Sequence, residues 1–536
     1  MIARPIFATM AVAGVAFTVL NGCESKQPNG NPSEAIYQRP AVTIVSQTPT
    51  AAPEKLRDVS AVRDDGAGKD RGVIDEPVIL PASVRPASGG RVLPESSASA
   101  MLRIETAYTP PQALLARGSN ETTAEQTLFP VVSRTQGEGP TLSGLDVLKR
   151  ENFARLKGRR IAMLVNHSAI DREGRHILDL TRGNPNVQIV KLFSPEHGLY
   201  GDVDTKTPDF VDTRTQLMVH SLYRSTTDTT VKPHHPRPQD LDGVDLVLVD
   251  MQDIGARFYT YCGYMAFMME ECAKKNVEVM VLDRPNPIGG LYVDGPLPDE
   301  DQVGGVTCYF PMPVAHGMTM GELARMFNEE NKIGCRLTVV QMEKWARSMF
   351  WDETGLRWVN PSPNIQDLDA AIAYPGIGMT ERLVSMGRGT TEPFHIFGTP
   401  WIQDNNRMCD ELNAAGMAGV RLEPVEFTPT GTLARGHIGE NKLCRGARII
   451  ITDRKAFRPL ELGLRVMDWL HRNHGKPAGG APPAYDVAIL RTSASAITVL
   501  RIREGRKISE TLEFVKQQVR RFEQTRKKYL LYPDTL

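Results

Sequence analysis

Glu196 and His197 lie in a short segment whose residue types suit proton transfer. The segment follows an apolar run, residues 187–192, which is rich in β-branched residues and has the length of a buried strand. Pro195 and Gly198 end that run and predict a loop. Ligands bind beyond the carboxyl ends of the strands in an open α/β sheet, so Glu196 is our first candidate for a catalytic acid. The alternative is a solvated loop carboxylate.

Three further apolar runs end in the same way. Residues 159–165, 244–249 and 277–282 each read as a strand and each lead into polar, turn-forming residues. The carboxyl ends of parallel strands meet at one edge of a sheet, so the sequence predicts a polar crevice there. The candidate site residues on these loops are Asn166, Asp250, Asp253, Arg257, Tyr259 and Asp283.

Helical segments are predicted between these strands, at residues 177–182 and 259–275. Strands that alternate with helices predict an α/β fold with a parallel sheet and right-handed crossovers. Thr319 and Glu322 have the spacing of a capping box, which predicts a helix to Asn328 and gives Glu322 a structural role. His316 precedes that helix in a loop and is a further site candidate, as is Asn364 after a strand predicted at residues 337–340.

A second, smaller domain is predicted from residue 361 to residue 536. Its polar segment contains Glu381, and then Arg388 and Thr390 in the sequence Gly-Arg-Gly-Thr. A guanidinium between two glycines suits a carboxylate or a phosphate. The segment lacks the lysine and the spacing of a P-loop, which argues against nucleotide binding. Apolar runs at residues 448–451 and 487–490 predict core strands, and helices are predicted at 462–472 and 508–525.

The composition excludes some functions. The chain has 536 residues, which is long enough for more than one domain, and it carries 63 basic and 63 acidic residues. A net charge of zero argues against nucleic-acid binding, which needs a basic surface. No apolar run after residue 22 is long enough to span a bilayer.

The N-terminus has the pattern of a targeting segment. Arg4 precedes an apolar stretch, residues 6–20, and the sequence Leu20-Asn21-Gly22-Cys23 resembles a lipobox. We therefore expect removal of residues 1–22 and acylation of Cys23; a plain secretory signal or an N-terminal anchor helix are the alternatives. Glu24 is not the aspartate that retains lipoproteins in the inner membrane, which favours the outer membrane, facing the periplasm. Residues 23–135 have the composition of a disordered linker.

Metal binding is not expected. His234 and His235 are adjacent, but no carboxylate or histidine follows at helical ligand spacing, so an exposed loop is the preferred interpretation. The seven cysteines include no CxxC pair, which argues against a zinc ribbon. Cys262 and Cys272, on a predicted helix, are expected to be buried free thiols. The sequence gives no sign of a cofactor.

Several motifs, in this order, resemble the bacterial exo-β-N-acetylmuramidase family. They include residues 194–198, 253–261, 283–287, 316–319, 361–364 and 387–390. The resemblance covers roughly residues 142–536 and departs from the family pattern at residues 203–209. It implies a Rossmann-like first domain, residues 136–360, a smaller second domain, and an active site in the cleft between them. It also implies release of N-acetylmuramic acid from the non-reducing ends of peptidoglycan fragments, with Glu196 as the catalytic position.

This chemistry requires particular groups. Glycoside hydrolysis usually takes an acid and a second carboxylate, and Asp250, Asp253, Asp283 and Glu381 are candidates for the second. Asp253 and Glu381 rank first, although Asp253 could instead pair with Arg257. The lactyl carboxylate of muramic acid needs a cation, either Arg257 or Arg388. His197 could position the acid, and Tyr259 or Tyr261 could stack on the sugar, with one of the two packing in the core.

Two other functions remain open from the sequence. The hypothesis of an amidase or esterase is less well supported, because the chain has neither a Gly-x-Ser-x-Gly elbow nor a zincin motif. A non-catalytic wall-binding lipoprotein would have no need of Glu196. The expected partner in each case is a peptidoglycan-derived glycan, and the only expected membrane contact is the lipid anchor.

Overall fold

The computed structural model describes residues 141–201, 205–225, 232–474, 492 and 495–536. Cys23, the predicted linker and the strand predicted at residues 487–490 lie outside these residues. Among the helices of the described part, none combines the length and the hydropathy that a membrane span requires.

A seven-stranded sheet forms the centre of the first domain. Its order is β3-β4-β2-β1-β5-β6-β7, and every neighbouring pair is parallel except β3 with β4. The strand order reverses at β1, between β2 and β5, and this is where an open α/β sheet forms its ligand crevice. The predicted parallel α/β sheet is confirmed. The strands are β1 (Arg160–Val165), β2 (Gln188–Ser194), β3 (Phe210–Val211), β4 (Met218–Ser221), β5 (Leu246–Asp250), β6 (Glu278–Leu282) and β7 (Leu337–Val340).

The central strands are apolar along their length because both faces of the sheet are covered. In β1, Ala162 and Leu164 pack into one hydrophobic core, whereas Ile161, Met163 and Val165 pack into another on the opposite face. Successive residues of a strand point to opposite faces, so an unbroken apolar run is what two cores require. This is why the sequence pattern identified these strands.

Four helices accompany the sheet: α1 (Gly144–Arg150), α2 (Ile177–Thr181), α3 (Tyr261–Lys274) and α4 (Met320–Glu330). The capping box predicted for α4 is confirmed, because Thr319 Oγ1 accepts the Glu322 amide and Glu322 accepts the Thr319 amide. The buried carboxylate of Glu322 also pairs with Arg347 and accepts the Leu531 amide. Glu322 therefore ties the start of α4 to the C-terminal tail.

The second domain contains a small antiparallel sheet of order β8-β10-β9. Its strands are β8 (Ile396–Thr399), β9 (Val420–Phe427) and β10 (Cys444–Ile451). The helices that follow the first domain are α5 (Leu368–Ile377), α6 (Asn405–Asn413), α7 (Pro459–His474), α8 (Ala496–Arg503) and α9 (Ile508–Arg526). The predicted smaller domain with mixed α and β elements is confirmed.

Helices α5 and α7 pack in direct backbone contact. A Cβ atom added at Gly376 would lie 1.8 Å from the carbonyl oxygen of Pro459, and one added at Gly463 would lie 2.3 Å from the carbonyl oxygen of Gly376. Only glycine permits this approach. The contact fixes the position of α5, which carries a residue of the candidate site.

The described residues between β2 and β5 form more regular structure than their polar composition indicates. It supplies β3 and β4, and His235 is buried rather than exposed, so the prediction of an exposed loop there was wrong. The His235 ring stacks on Phe267 at 4.0 Å, and its Nε2 lies 3.4 Å from Glu270. Glu271 lies close by and pairs with Lys274.

The six cysteines among the described residues are all buried and unpaired. The prediction of buried free thiols at Cys262 and Cys272 is confirmed. Both lie on α3, in the main core.

Asp283 is fully buried where β6 meets α4 and the C-terminal tail. Its carboxylate accepts hydrogen bonds from Thr319 Oγ1 (2.8 Å), the Gly321 amide (2.8 Å) and the Tyr532 hydroxyl (2.5 Å). Burial raises its pKa to about 6, although these hydrogen bonds act in the opposite direction. The contacts give Asp283 a role in the fold rather than the substrate contact expected from its loop.

Replacing Tyr532 with Phe should destabilise the protein more at pH 8 than at pH 4.5. The folded-state pKa of Asp283 is raised, so its contribution to stability is present below its unfolded pKa of about 3.8 and is lost as pH rises through about 6. At pH 8 the variant removes a bond to a charged carboxylate, costing about 1.5–3 kcal/mol, against about 1 kcal/mol at pH 4.5. Urea unfolding at both pH values measures this, and equal losses would contradict it.

Candidate active site

Glu196 lies in a tight turn directly after β2. The Gly198 amide donates to the Pro195 carbonyl at 3.1 Å, and both His197 (φ +70°) and Gly198 (φ +74°) have left-handed backbone conformations. A left-handed non-glycine residue is strained, and such strain is frequent at functional sites. Oε2 of the half-buried Glu196 accepts a hydrogen bond from Thr260 Oγ1 at 2.9 Å. The acid is thus held in place from the loop that precedes α3.

His197 is buried, with 8% of its surface exposed. Its left-handed backbone helps to turn the chain immediately after Glu196. A positioning role for His197 stays a prediction, since it is supported here only by this placement.

Asp253 lies after β5 with one carboxylate oxygen fixed and the other unpartnered. Oδ2 accepts the Gly255 amide at 2.7 Å and lies 3.3 Å from Nε2 of His316, although these two atoms are not aligned for a hydrogen bond. The Met318 amide donates to Nδ1 of His316 at 3.2 Å, so the proton of a neutral His316 resides on Nε2, facing Asp253. Oδ1 of Asp253 is buried and has no hydrogen-bond partner.

The second domain contributes Glu381 and Arg388. Nη2 of Arg388 lies 3.4 Å from Oε1 of Glu381, and the guanidinium carbon lies 5.1 Å from the centre of the Phe394 ring. His437 Nδ1 is 3.9 Å from the same Glu381 oxygen. Nε of Arg388 is buried without a partner. Glu381 is therefore flanked by Arg388 and His437, whereas Arg388 retains a donor for a ligand.

Tyr374, on α5, brings these groups together, and sequence reasoning missed it. Burial raises the pKa of its phenol; the charge of Arg388 opposes this, while the charges of Glu381, Glu196 and Asp253 raise the pKa further. All four charged groups therefore lie within electrostatic range of one phenol. A tyrosine on an otherwise apolar helix is the only sequence signal that could have identified it.

Aromatic ring contacts connect Tyr374 to residues of both domains. The Tyr374 ring centre lies 6.4 Å from that of Tyr259 and 4.8 Å from that of Phe394, both nearly perpendicular. Tyr259 contacts Tyr261 at 4.6 Å. Tyr261 is fully buried and donates to the Pro361 carbonyl at 2.8 Å, whereas the buried Tyr259 hydroxyl has no partner. Tyr261 is thus the core residue of the pair, and Tyr259 has the available hydroxyl.

Buried polar atoms without partners are concentrated in these loops. Buried polar groups are normally hydrogen-bonded, so a group of unsatisfied ones indicates a polar ligand. Among the described residues of the site, these atoms include Asn166 Nδ2, Gln252 Oε1, Asp253 Oδ1, Tyr259 OH, His316 Nε2, Asn364 Nδ2 and Oδ1, and Arg388 Nε.

Several predicted site residues instead support the fold. Arg257 is fully buried and donates to the carbonyls of Pro296 (2.9 Å), Met312 (2.7 Å) and Thr492 (3.2 Å). These contacts correct the expectation that Arg257 binds the substrate carboxylate. The alternative pairing of Arg257 with Asp253 is not seen either, because Asp253 faces His316. The conclusion is that Arg257 anchors loops rather than binding a ligand.

Asp250 and Thr390 are also occupied. Asp250 forms a buried ion pair with Arg284, at 2.5 and 2.9 Å, which removes it from consideration as a catalytic carboxylate. The Thr390 hydroxyl donates to the Gly387 carbonyl at 2.7 Å and accepts the Glu392 amide at 3.1 Å. Thr390 therefore shapes the loop that presents Arg388.

A separate cavity of about 750 Å³ lies elsewhere on the described part of the chain. No predicted site residue lines it. Its walls include aromatic and basic side chains, among them Tyr292, Phe350, Arg454, Phe457, Lys516 and Arg520. It is distinct from the group of residues around Tyr374.

A Rossmann-like domain that presents one held carboxylic acid and one partly unpartnered carboxylate, together with an arginine from a second domain, has the groups of one class of enzyme, the glycoside hydrolases. Comparison with known proteins agrees with this class. Residues 161–369 match the N-terminal, and residues 372–532 the C-terminal, domain of the exo-β-N-acetylmuramidase NamZ. The chain therefore belongs to the exo-β-N-acetylmuramidase NamZ family.

Individual relatives show the same similarity. The peptidoglycan β-N-acetylmuramidase NamZ of Bacillus subtilis is 34% identical over 399 residues, which are 73% of this chain and 91% of that protein. A DUF1343 family protein of Bacteroides fragilis has a similar structure, with a TM-score of 0.65, 31% identity, and coverage of 73% of this chain and 99% of that chain. A second one from the same organism has a TM-score of 0.58, 29% identity, and coverage of 74% and 100%.

Replacing His316 with Leu should lower kcat by about 10- to 100-fold with little change in KM, because Asp253 would lose its oriented neighbour. Replacing it with Gln keeps an N–H at the position of Nε2 and should retain activity within a few-fold. Steady-state kinetics on a chromogenic β-N-acetylmuramide measure both variants. Equal activity of the two variants would contradict a role for His316 in orienting Asp253.

Proposed function

We propose that the protein is an exo-acting glycoside hydrolase that releases N-acetylmuramic acid from the non-reducing ends of peptidoglycan fragments. The observation that carries this proposal is that Glu196, Asp253, Glu381 and Arg388 all lie close enough to the buried phenol of Tyr374 to shift its pKa. Family membership supports the reaction class. The same family membership argues against an amidase, an esterase and a non-catalytic binding protein.

Glu196 is the proposed general acid. It is held at the sheet edge by Thr260, where it can protonate the glycosidic oxygen as the bond to the muramyl carbon breaks. Asp253 is the proposed second carboxylate, because Oδ1 is unpartnered while Oδ2 is fixed. Glu381, the other leading candidate, is already paired with Arg388. Asp253 therefore acts on the sugar or on water from the other side of the scissile bond.

Arg388 is the proposed partner of the lactyl carboxylate. Its side chain is 17% exposed, it is stacked on Phe394, and it has a buried Nε–H without an acceptor. A planar guanidinium can hold a carboxylate through two parallel hydrogen bonds. Arg257, the alternative from the sequence, has its donors directed at backbone carbonyls.

Replacing Glu196 with Gln should lower kcat on a natural disaccharide by at least about two orders of magnitude, because the amide has no transferable proton. The loss should be smaller with an activated phenolic leaving group, which needs less protonation. Glu426→Gln, which alters an exposed glutamate paired with Arg445, is the matched control. Activity of the Glu196 variant within a few-fold of wild type on the disaccharide would make the assignment wrong.

Replacing Arg388 with Ala should weaken kcat/KM for a muramide by about 30-fold, which corresponds to loss of a charge-assisted contact of about 2 kcal/mol. The corresponding N-acetylglucosaminide has no lactyl group and should lose far less. Arg445→Ala removes an arginine that is exposed on β10 and serves as the control. Equal losses on the two substrates would contradict the carboxylate contact.

We also propose that Cys23 is lipidated and that the enzyme is tethered on the periplasmic side of the envelope, at the outer membrane. The support is the lipobox-like sequence at residues 20–23. Mass spectrometry of the mature N-terminus should find an acylated cysteine, and Cys23→Ser should abolish it. Retention of residues 1–22, or a free N-terminus elsewhere, would contradict the proposal.

A further inference from the structure

The side chain of Asn364 is buried, with 1% of its surface exposed, and neither Nδ2 nor Oδ1 has a hydrogen-bond partner. Two other asparagines of the described residues, Asn328 and Asn413, have both side-chain polar atoms paired. Asn328 exchanges two hydrogen bonds of 2.9 Å with the backbone of Cys335, and Asn413 does the same with Leu422. Burying an unpaired amide costs stability, so the state of Asn364 requires an explanation.

The loop that carries Asn364 adjoins the candidate site. The Tyr261 hydroxyl donates to the Pro361 carbonyl at 2.8 Å, and Nε2 of His167 lies 2.7 Å from the Asn360 carbonyl oxygen. Burial raises the pKa of Tyr261, the Tyr259 hydroxyl and the Asn166 amide oppose this, and the charge of Glu196 raises it further. Asn364 therefore lies on a loop that contacts Tyr261, and the charge of Glu196 affects the pKa of Tyr261.

A second amide with an unpaired N–H belongs to Asn166, which is close enough to the Tyr261 hydroxyl to lower its pKa. Oδ1 of Asn166 accepts the amide (3.1 Å) and the hydroxyl (2.6 Å) of Ser168, which fixes the side chain. Its Nδ2 is buried and is not aligned with any acceptor. The site therefore offers one unpaired acceptor and two unpaired N–H donors, on two loops.

We infer that Asn364 and Asn166 together bind the 2-acetamido group of the sugar. This inference rests on the proposed function. A trans amide directs its N–H and its C=O in opposite directions, so one asparagine side chain cannot bind both. Oδ1 of Asn364 accepts the acetamido N–H, and its Nδ2 donates to the neighbouring oxygen on C3. Nδ2 of Asn166 donates to the acetamido carbonyl. The three unpaired atoms are then all satisfied by vicinal groups of one sugar.

The inference gives Asn364 a role in specificity that does not depend on cleavage. The binding of free N-acetylmuramic acid is compared with that of 3-O-lactylglucose, which has a hydroxyl in place of the acetamido group, by calorimetry on the wild-type protein and on Asn364→Leu. The variant should bind N-acetylmuramic acid at least about tenfold more weakly and 3-O-lactylglucose within about threefold of wild type. Asn360→Ala, in the same loop, should change neither affinity.

Thermal melting separates this role from a structural one. Asn364→Leu removes two unpaired polar atoms, so its melting temperature should equal or exceed that of the wild type. Asn328→Leu removes a fully paired asparagine and should melt lower. Equal loss of affinity for both sugars, or a large fall in the melting temperature of Asn364→Leu, would overturn the inference. Failure of the wild type to cleave muramides would count against the proposed function alone if it still binds N-acetylmuramic acid.

Discussion

The perpendicular contacts of Tyr374 with Tyr259 and with Phe394 join the two halves of the site. One ring belongs to the loop before α3 of the first domain, and the other to the loop that presents Arg388. Helix α5 can carry Tyr374 to this position because Gly376 and Gly463 let α5 and α7 touch through their backbones. The geometry of the candidate catalytic groups thus depends on an aromatic contact and on the glycine contact that positions α5.

The electrostatic arrangement follows from that packing. Three carboxylates and one guanidinium lie close enough to a buried phenol to shift its pKa, in a region where the local dielectric is low and charge interactions are strong. Each acid is distinguished by its partners: Thr260 holds Glu196, His316 faces Asp253, and Arg388 pairs with Glu381. Different environments give chemically identical groups different roles, as glycoside hydrolysis requires.

Much of the first domain could be predicted from the sequence because its central strands are buried on both faces and are therefore mostly apolar. The loops after them were located for the same reason, including the position of Glu196. Arg257 and Asp283 could not be assigned correctly, since their partners are the carbonyls of Pro296 and Met312 and the hydroxyl of Tyr532, which are distant in the chain. The unpaired state of Asn364 likewise depends on burial, which no sequence pattern gives.

The crystal structure of the Glu196→Gln variant with a bound disaccharide of N-acetylmuramic acid and N-acetylglucosamine tests the central claim most directly. The account predicts the sugar between the two domains, with the glycosidic oxygen about 3 Å from the side chain of residue 196 and Asp253 on the other side of the scissile bond. A disaccharide bound in the separate cavity lined by Tyr292 and Phe350, or one whose glycosidic oxygen is out of reach of residue 196, would contradict it.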